Sequence, residues 1–391
     1  MSAVAGAWLM IGLALALLLV LDGAYRAQAG VRRAIRVHLH PERRVDYPYT
    51  VPSFPYADST WYRGWIPRRN RALKQHWMYD PYRAWTMGPF SVSGITVDQG
   101  GLRPVPDGRI GAGRDTVLLL GGSVLWGYEV RDSATVGAFV APGLRRRGIG
   151  DASVISLAQA GYDLPQEAAT LQQVLRQGGR PVAVVFLDGV NELGPFIEGE
   201  PLGGVYGQRR IESVVARDRL GFWGELMSLG RHLALVERIR HALWPPKRSS
   251  DGSPEMVCAT VAEYYLTNVR SIVALGREFG FRPLFIWQPT LAMTGKDLSE
   301  YEAFRRSWEA SGERSIGPYL RSCSAVVDSL MARHPDIPYM PFHGVFDGDT
   351  ATAFIDSFGH LTETADAVVG DSIAGLVSGL LRRGPGPTRP K

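Results

Sequence analysis

Four short stretches of this sequence carry residue types that could together perform acyl transfer. Gly121-Gly122-Ser123-Val124-Leu125-Trp126-Gly127 sets a serine behind two glycines, which permit a sharp turn with unusual backbone angles. Leu157-Ala158-Gln159-Ala160-Gly161-Tyr162 contains Gly161, whose backbone N–H a ligand can approach closely. Asp188-Gly189-Val190-Asn191-Glu192 offers the Asn191 amide as a donor. Asp356-Ser357-Phe358-Gly359-His360-Leu361-Thr362 supplies an imidazole and a carboxylate. In this reading Ser123 attacks a carbonyl, His360 takes its proton, and Asp356 orients the ring and stabilises its charged form. The N–H groups of Ser123 and Gly161, with the Asn191 amide, hold the oxyanion, each donor being worth about 3 kcal/mol of barrier.

These stretches lie far apart in the chain, so a fold must gather them. Thr116–Leu120, Val154–Ser156, Val182–Leu187 and Pro283–Trp287 are short apolar runs bounded by turn residues, which predicts buried strands. Helices are predicted between them. Ser133 caps one whose apolar positions are Val136, Phe139, Val140 and Leu144, and Pro142 should end or kink it. A second spans Pro165–Leu175, and a long third buries Val257, Val261, Tyr264, Tyr265, Val269, Ile272 and Leu275. Thr362 caps the last, with Ala365, Val368, Val369, Ile373, Leu376, Val377 and Leu380 as its stripe. Apolar strands alternating with helices imply a parallel sheet covered on both faces, with ligands bound beyond the strands' carboxyl ends. Each of the first three stretches above directly follows one of these strands.

The order and spacing of the four blocks resemble those of the SGNH (GDSL-like) hydrolases. GGSVLWG resembles the family's nucleophile block, QAGYDLPQE its glycine block, DGVNE its Gly-x-Asn-Asp block, and the stretch around His360 its Asp-x-x-His block. ITVDQGGLRP resembles a segment found ahead of the domain in bacterial members, and FIWQPTL with Lys296 and Glu300 a subgroup feature. The resemblance covers roughly residues 88–381. It implies a flavodoxin-like three-layer α/β/α sandwich and esterase, lipase, thioesterase or carbohydrate O-acetyl chemistry. Gly122 stands where the family has Asp, and Glu192 replaces the second Asp of the asparagine block. Asp356 precedes His360 by four residues instead of three, and Ser357 holds the usual acid position. Either a one-residue bulge restores Asp356, or a backbone carbonyl orients His360 and leaves a Ser-His dyad. His343, in MPFHGVFDGD with Asp347 and Asp349, is the competing histidine.

Ala3–Leu21 is uncharged and apolar, about the 20 residues a membrane-spanning helix needs. Ala27-Gln28-Ala29 resembles a signal cleavage site, but no basic residue precedes the apolar run, which favours an uncleaved anchor. Arg26, Arg32, Arg33, Arg36, Arg43 and Arg44 follow it. By the positive-inside rule they keep the body cytoplasmic; alternatively they lie against anionic headgroups, and the family resemblance favours an extracytoplasmic body. Cys258 and Cys323 could form a disulfide or stay as buried thiols. The expected organisation is an anchor over 1–22, a basic juxtamembrane segment over 23–45 and an irregular aromatic-rich extension over 46–114. A catalytic domain over 115–384 follows, with an excursion over the site at about 193–255, and then a flexible tail over 385–391.

The net charge of +5 is mild and concentrated near the N-terminus, which argues against a nucleic-acid partner. No zinc spacing, Walker loop or GxGxxG unit calls for a metal or organic cofactor. The chemistry read here is that of a serine esterase acting on a small acyl ester, an O-acetylated glycan or lipid included. The alternatives are an O-acyltransferase passing the acyl group to a glycan hydroxyl, and a non-catalytic binding or assembly protein retaining the fold.

Overall fold

The apolar N-terminal stretch forms a helix that does not stop where its apolar run stops. In the computed structural model it spans Ala3–Leu39. Trp8, Met10, Leu13, Leu17 and Leu19 are exposed along it, and its apolar window has a mean hydropathy of 2.6, long enough to cross a bilayer. The sequence reading divided this stretch into an anchor and a juxtamembrane segment. One helix instead runs through Asp22, because that side chain is answered locally. Arg26, one turn on, donates to Asp22 Oδ2 at 2.7 Å, and the N–H of Leu235 donates to Oδ1 at 2.8 Å. Leu235 lies in the first turn of helix Ala234–Leu243, where N–H groups lack intrahelical acceptors. Met1–Val51 and Gln208–Arg248 form one compact unit. The described residues are 3–39, 47–106, 115–149, 152–201, 203–219, 221, 233–243, 254–310 and 316–382. Arg43, Arg44 and the expected tail 385–391 lie outside them.

The second unit, Pro52–Gly207 with Ser249–Lys391, contains the sheet. Its strands are numbered in chain order. Two antiparallel hairpins come first: β1 (Trp77–Asp80) with β2 (Ala84–Met87), and β3 (Phe90–Val92) with β4 (Ile95–Val97). A parallel sheet follows, built from β5 (Thr116–Gly121), β6 (Ser153–Ser156), β7 (Pro181–Asp188), β8 (Arg282–Trp287) and β9 (Tyr339–Pro341). Its spatial order is β6-β5-β7-β8-β9, the 2-1-3-4-5 order of doubly wound flavodoxin-like sheets.

Alternating strand residues face opposite layers. Leu118, Leu120, Val184, Phe186 and Phe285 pack with residues of helices Leu164–Arg176, Pro254–Phe279 and Gly317–Met331. Helices Val136–Arg146 and Glu363–Arg382 pack together as the other layer, against β6 and β7. Their approach is close: a Cβ on Gly370 would meet Phe139, and one on Gly143 would meet Ala374, each at 2.6 Å. The fold is thus a three-layer α/β/α sandwich.

The structure corrects several details. Pro142 neither ends nor breaks its helix, which runs Val136–Arg146, because Val136, Val140 and Leu144 are buried on both sides of it. The cap is Thr135, which accepts from the Ala138 N–H, while Ser133 sits in a preceding 3-10 turn. Tyr264 and Val368 are exposed, and Tyr265 and Val369 take the inner positions. The 46–114 stretch is not irregular: it contains helix Tyr62–Gln75 and both hairpins. The expected excursion 193–255 divides, with its first part in the sheet unit and Gln208–Arg248 in the other; Pro245 and Pro246 lie outside the described residues.

Cys258 and Cys323 are joined in a disulfide, Cα atoms 4.5 Å apart, linking two helices of one layer. The bond spans 65 residues, so closing that loop in the unfolded chain corresponds to about 4 kcal/mol. Unfolding in denaturant with and without reductant should therefore differ by a few kcal/mol, and a Cys258→Ala/Cys323→Ala double variant should show no such difference.

Candidate active site

The carboxyl edge of the sheet brings all five sequence-predicted residues together. β5 ends at Gly121, and Ser123 opens the short helix Ser123–Trp126. Its N–H lies in a first turn, where no intrahelical acceptor exists. Gly122 has no room for a side chain: a Cβ there would lie 1.9 Å from Asn191 Nδ2. Asn191 donates one N–H to the Tyr162 carbonyl at 2.8 Å, which fixes the amide and leaves its second N–H available. Gly161 has φ +89°, a conformation that favours glycine. A Cβ there would lie 3.4 Å from both Trp85 and Tyr206, and its N–H meets no acceptor among the described residues.

His360 and Asp356 sit on a tight turn. The Ile355 N–H donates to the His360 carbonyl, and the Thr362 N–H to the Ala353 carbonyl, at 2.8 and 2.9 Å. Four residues, Asp356 to Gly359, close the turn, with Gly359 at φ +82°. Asp356 Oδ1 accepts the N–H groups of Phe358 and His360, and its Oδ2 lies 2.6 Å from His360 Nδ1. The four-residue spacing thus still brings Asp356 within hydrogen-bonding distance of His360. Ser357 faces elsewhere, its N–H donating to Glu309. An ionised carboxylate only accepts, so Nδ1 carries the proton and Nε2 is left to accept from Ser123 Oγ, 2.8 Å away. Burial pushes the Asp356 carboxyl up, but the His360 ring and Arg305 hold it below the usual carboxylate value.

Behind the donors lie four carboxyls, Asp163, Glu167 and Asp188 buried and Glu192 half-buried. Glu192, the second departure from the family pattern, accepts the Leu164 N–H at 2.9 Å and so ties the asparagine block to the glycine block. Asp163 caps helix Leu164–Arg176 in a capping box with Gln166. Tyr265 donates to Asp188 at 2.9 Å. Burial first, then neighbouring carboxylates, push Glu167 and Glu192 well up. Burial pushes Asp163 and Asp188 up to about 7.

His343 is not at this site: its Nε2 pairs with Asp328 at 2.8 Å. Lys296 pairs with Glu302, not Glu300, in a fully buried bridge of 2.7 Å. Glu302 also accepts the N–H groups of Ala353 and Phe354, at the base of the His360 turn. Trp126 and Trp287 are core residues. Several supporting residues escaped the sequence reading. Gln159 bonds the Met87 N–H and the Gly101 carbonyl, Tyr162 the Trp85 carbonyl, and Gln166 the Arg83 carbonyl, docking the β1–β2 hairpin onto the glycine loop. Arg103, from ITVDQGGLRP, donates to the carbonyls of Trp126, Gly127 and Val130 and braces the turn after Ser123. Glu129, Asp356 and His360 each offer an atom within 4.8 Å of the others, a spacing a metal ion could use. Such an ion would compete with Arg69 and Tyr62 for Glu129 and with the Asp356–His360 bond.

No protein-family model and no curated protein matches the chain. Solved structures do. A lipase/acylhydrolase from Enterococcus faecalis is 14% identical, over 71% of this chain and 100% of that one, at a TM-score of 0.40. A GDSL-like lipase from Bacteroides thetaiotaomicron is 11% identical, over 69% and 88%, at 0.34. A psychrotrophic esterase from Pseudoalteromonas is 10% identical, over 68% and 99%, at 0.32.

The four-carboxyl cluster sets an expected pH response. A carboxyl raised above its unfolded value stays protonated in the fold where the unfolded chain has released its proton. Stability therefore falls as pH rises from the unfolded value of about 4 to about 7. Denaturation should be easier at about pH 8 than at about pH 5, and Glu167→Gln should narrow that gap. Urea midpoints for both proteins at both pH values measure it.

Proposed function

We propose that this protein is an SGNH-type serine esterase acting on a small acyl ester. One observation carries the reading: an unbroken chain from Ser123 Oγ to His360 Nε2, at 2.8 Å, and from His360 Nδ1 to Asp356 Oδ2, at 2.6 Å, beside the Ser123 and Gly161 N–H groups, which meet no acceptor among the described residues. The Ser123 hydroxyl adds to the ester carbonyl as its proton passes to His360 Nε2. Asp356 holds the imidazolium that forms. The oxyanion accepts from the N–H groups of Ser123 and Gly161 and from the free N–H of Asn191. Collapse expels the alcohol, which takes the proton from His360 and leaves an acyl-enzyme. Water, deprotonated by the same ring, then releases the acid. The chain's own donors carry the developing charge in this sequence of steps.

The exposed apolar N-terminal helix serves in this reading as a membrane anchor. The Cys258–Cys323 disulfide supports an extracytoplasmic body, since such bonds persist in oxidising compartments. It outweighs the arginines after the helix, which have anionic headgroups as an alternative partner.

Purified protein should label with a fluorophosphonate serine probe. Ser123→Ala and His360→Ala should abolish labelling, and Asn191→Ala should lower the turnover of an activated acetyl ester about a hundredfold or more. Failure of the folded wild type to label would sink the esterase reading.

A further inference from the structure

The His360 ring has a neighbour that the reaction just described does not use. Tyr128 stacks on it, ring centroids 4.7 Å apart and planes inclined by 21°. The Tyr128 N–H donates to the Ser123 carbonyl at 3.0 Å, so this ring is fixed to the nucleophile's own turn. The Arg69 guanidinium also lies over Tyr128, its Cζ 4.2 Å from the centroid. Two groups cannot stack on one face, so Arg69 and His360 sandwich the phenol. Arg69 Nη1 donates to the Tyr128 carbonyl and pairs with Glu129 Oε2, each at 2.6 Å, and the Tyr62 hydroxyl donates to the same carboxylate oxygen at 2.6 Å. Arg69 and Glu129 are both buried. Arg69 and Tyr62 come from helix Tyr62–Gln75, ahead of the sheet.

A buried ion pair is weak evidence for stability, because desolvation offsets most of its Coulomb attraction. Its location is more informative. The imidazole is held by Asp356 at Nδ1 and must keep its plane so that Nε2 meets Ser123 Oγ. A stacked ring restricts that plane.

We propose that Tyr128 is a positioning residue for His360, its ring held in place by the Arg69–Glu129 pair behind it. The inference rests on the reading of His360 as the base. The charged and titratable groups around that ring are Asp356 on its own turn, Tyr128 and Glu129 beyond Ser123, and Arg69 from the preceding helix. Arg305, Glu309 and Tyr301, from helix Glu300–Ala310, act through Asp356.

The test compares wild type, Tyr128→Phe and Tyr128→Leu. It measures the labelling rate at saturating fluorophosphonate and the probe affinity separately, with circular dichroism confirming the fold. Tyr128→Phe should stay near wild type, because stacking needs the ring and not the hydroxyl. Tyr128→Leu should label about tenfold more slowly or worse at saturating probe, with probe affinity unchanged. A merely structural role would reduce the folded fraction and leave the rate of the folded protein in place. Folded Tyr128→Leu labelling like wild type overturns the positioning role. A wild type that does not label at all overturns instead the esterase reading on which this one rests.

Discussion

The hydrogen bond between Asp356 and His360 is the constraint that the site's architecture serves. A buried carboxylate is tolerated only when its charge and lone pairs are answered. Here each oxygen is engaged, Oδ1 by two backbone N–H groups and Oδ2 by the imidazole. The turn that makes this possible is held by three side chains from two elements. Gln288, just past β8, donates to the Phe358 carbonyl, Tyr301 donates to the Ile355 carbonyl, and Glu302 accepts from Ala353 and Phe354. The fully buried Lys296 neutralises Glu302. Removing any of these would act on chemistry through the turn and not through contact with a substrate.

The oxyanion side follows a different logic. Asn191 fills the space beside Gly122, and is fixed because Tyr162 accepts from it. Glu192 then clamps the same two loops by accepting from Leu164. Placing Asp163, Glu167, Asp188 and Glu192 together behind these donors raises their proton affinity, chiefly through burial. Each proton so retained lessens the negative charge set behind a developing oxyanion.

Much of this was legible in the sequence. The four parallel strands appear as apolar runs because both faces of the sheet are covered, and each site residue stands at the end the topology requires. β9 was not legible, being three residues with a proline and no apolar run. The role of Asp356 could not be decided by spacing, because three or four residues to His360 is a matter of backbone conformation. Gly359, with its positive φ against the Gln288 side chain and the Pro289 carbonyl, was the local sign that a wider turn fits. The cysteine pairing likewise depends on which helices are neighbours. Lys296 and Glu300 were visible only as a subgroup resemblance, and that Lys296 pairs with Glu302 depends on where helix Glu300–Ala310 begins.

The least legible part was the chain between Tyr47 and Asp115, where aromatic, proline and arginine residues show no period. Its order comes from tertiary contacts that periodicity does not encode. Phe54, Tyr56, Tyr62 and Trp65 pack ring on ring, and Phe54 reaches Tyr301, whose hydroxyl holds the His360 turn. Arg103 braces the turn after Ser123, the β1–β2 hairpin is bonded to the glycine loop, and Arg69 backs the ring on which His360 lies. Three of the four stretches that carry the site are thus supported by residues preceding the first parallel strand. A parallel sheet supplies the common edge, and the conformation of its loops is fixed by what packs on them. The segment ahead of the sheet is one of those partners, which makes it part of the site's framework and not an appendage to it.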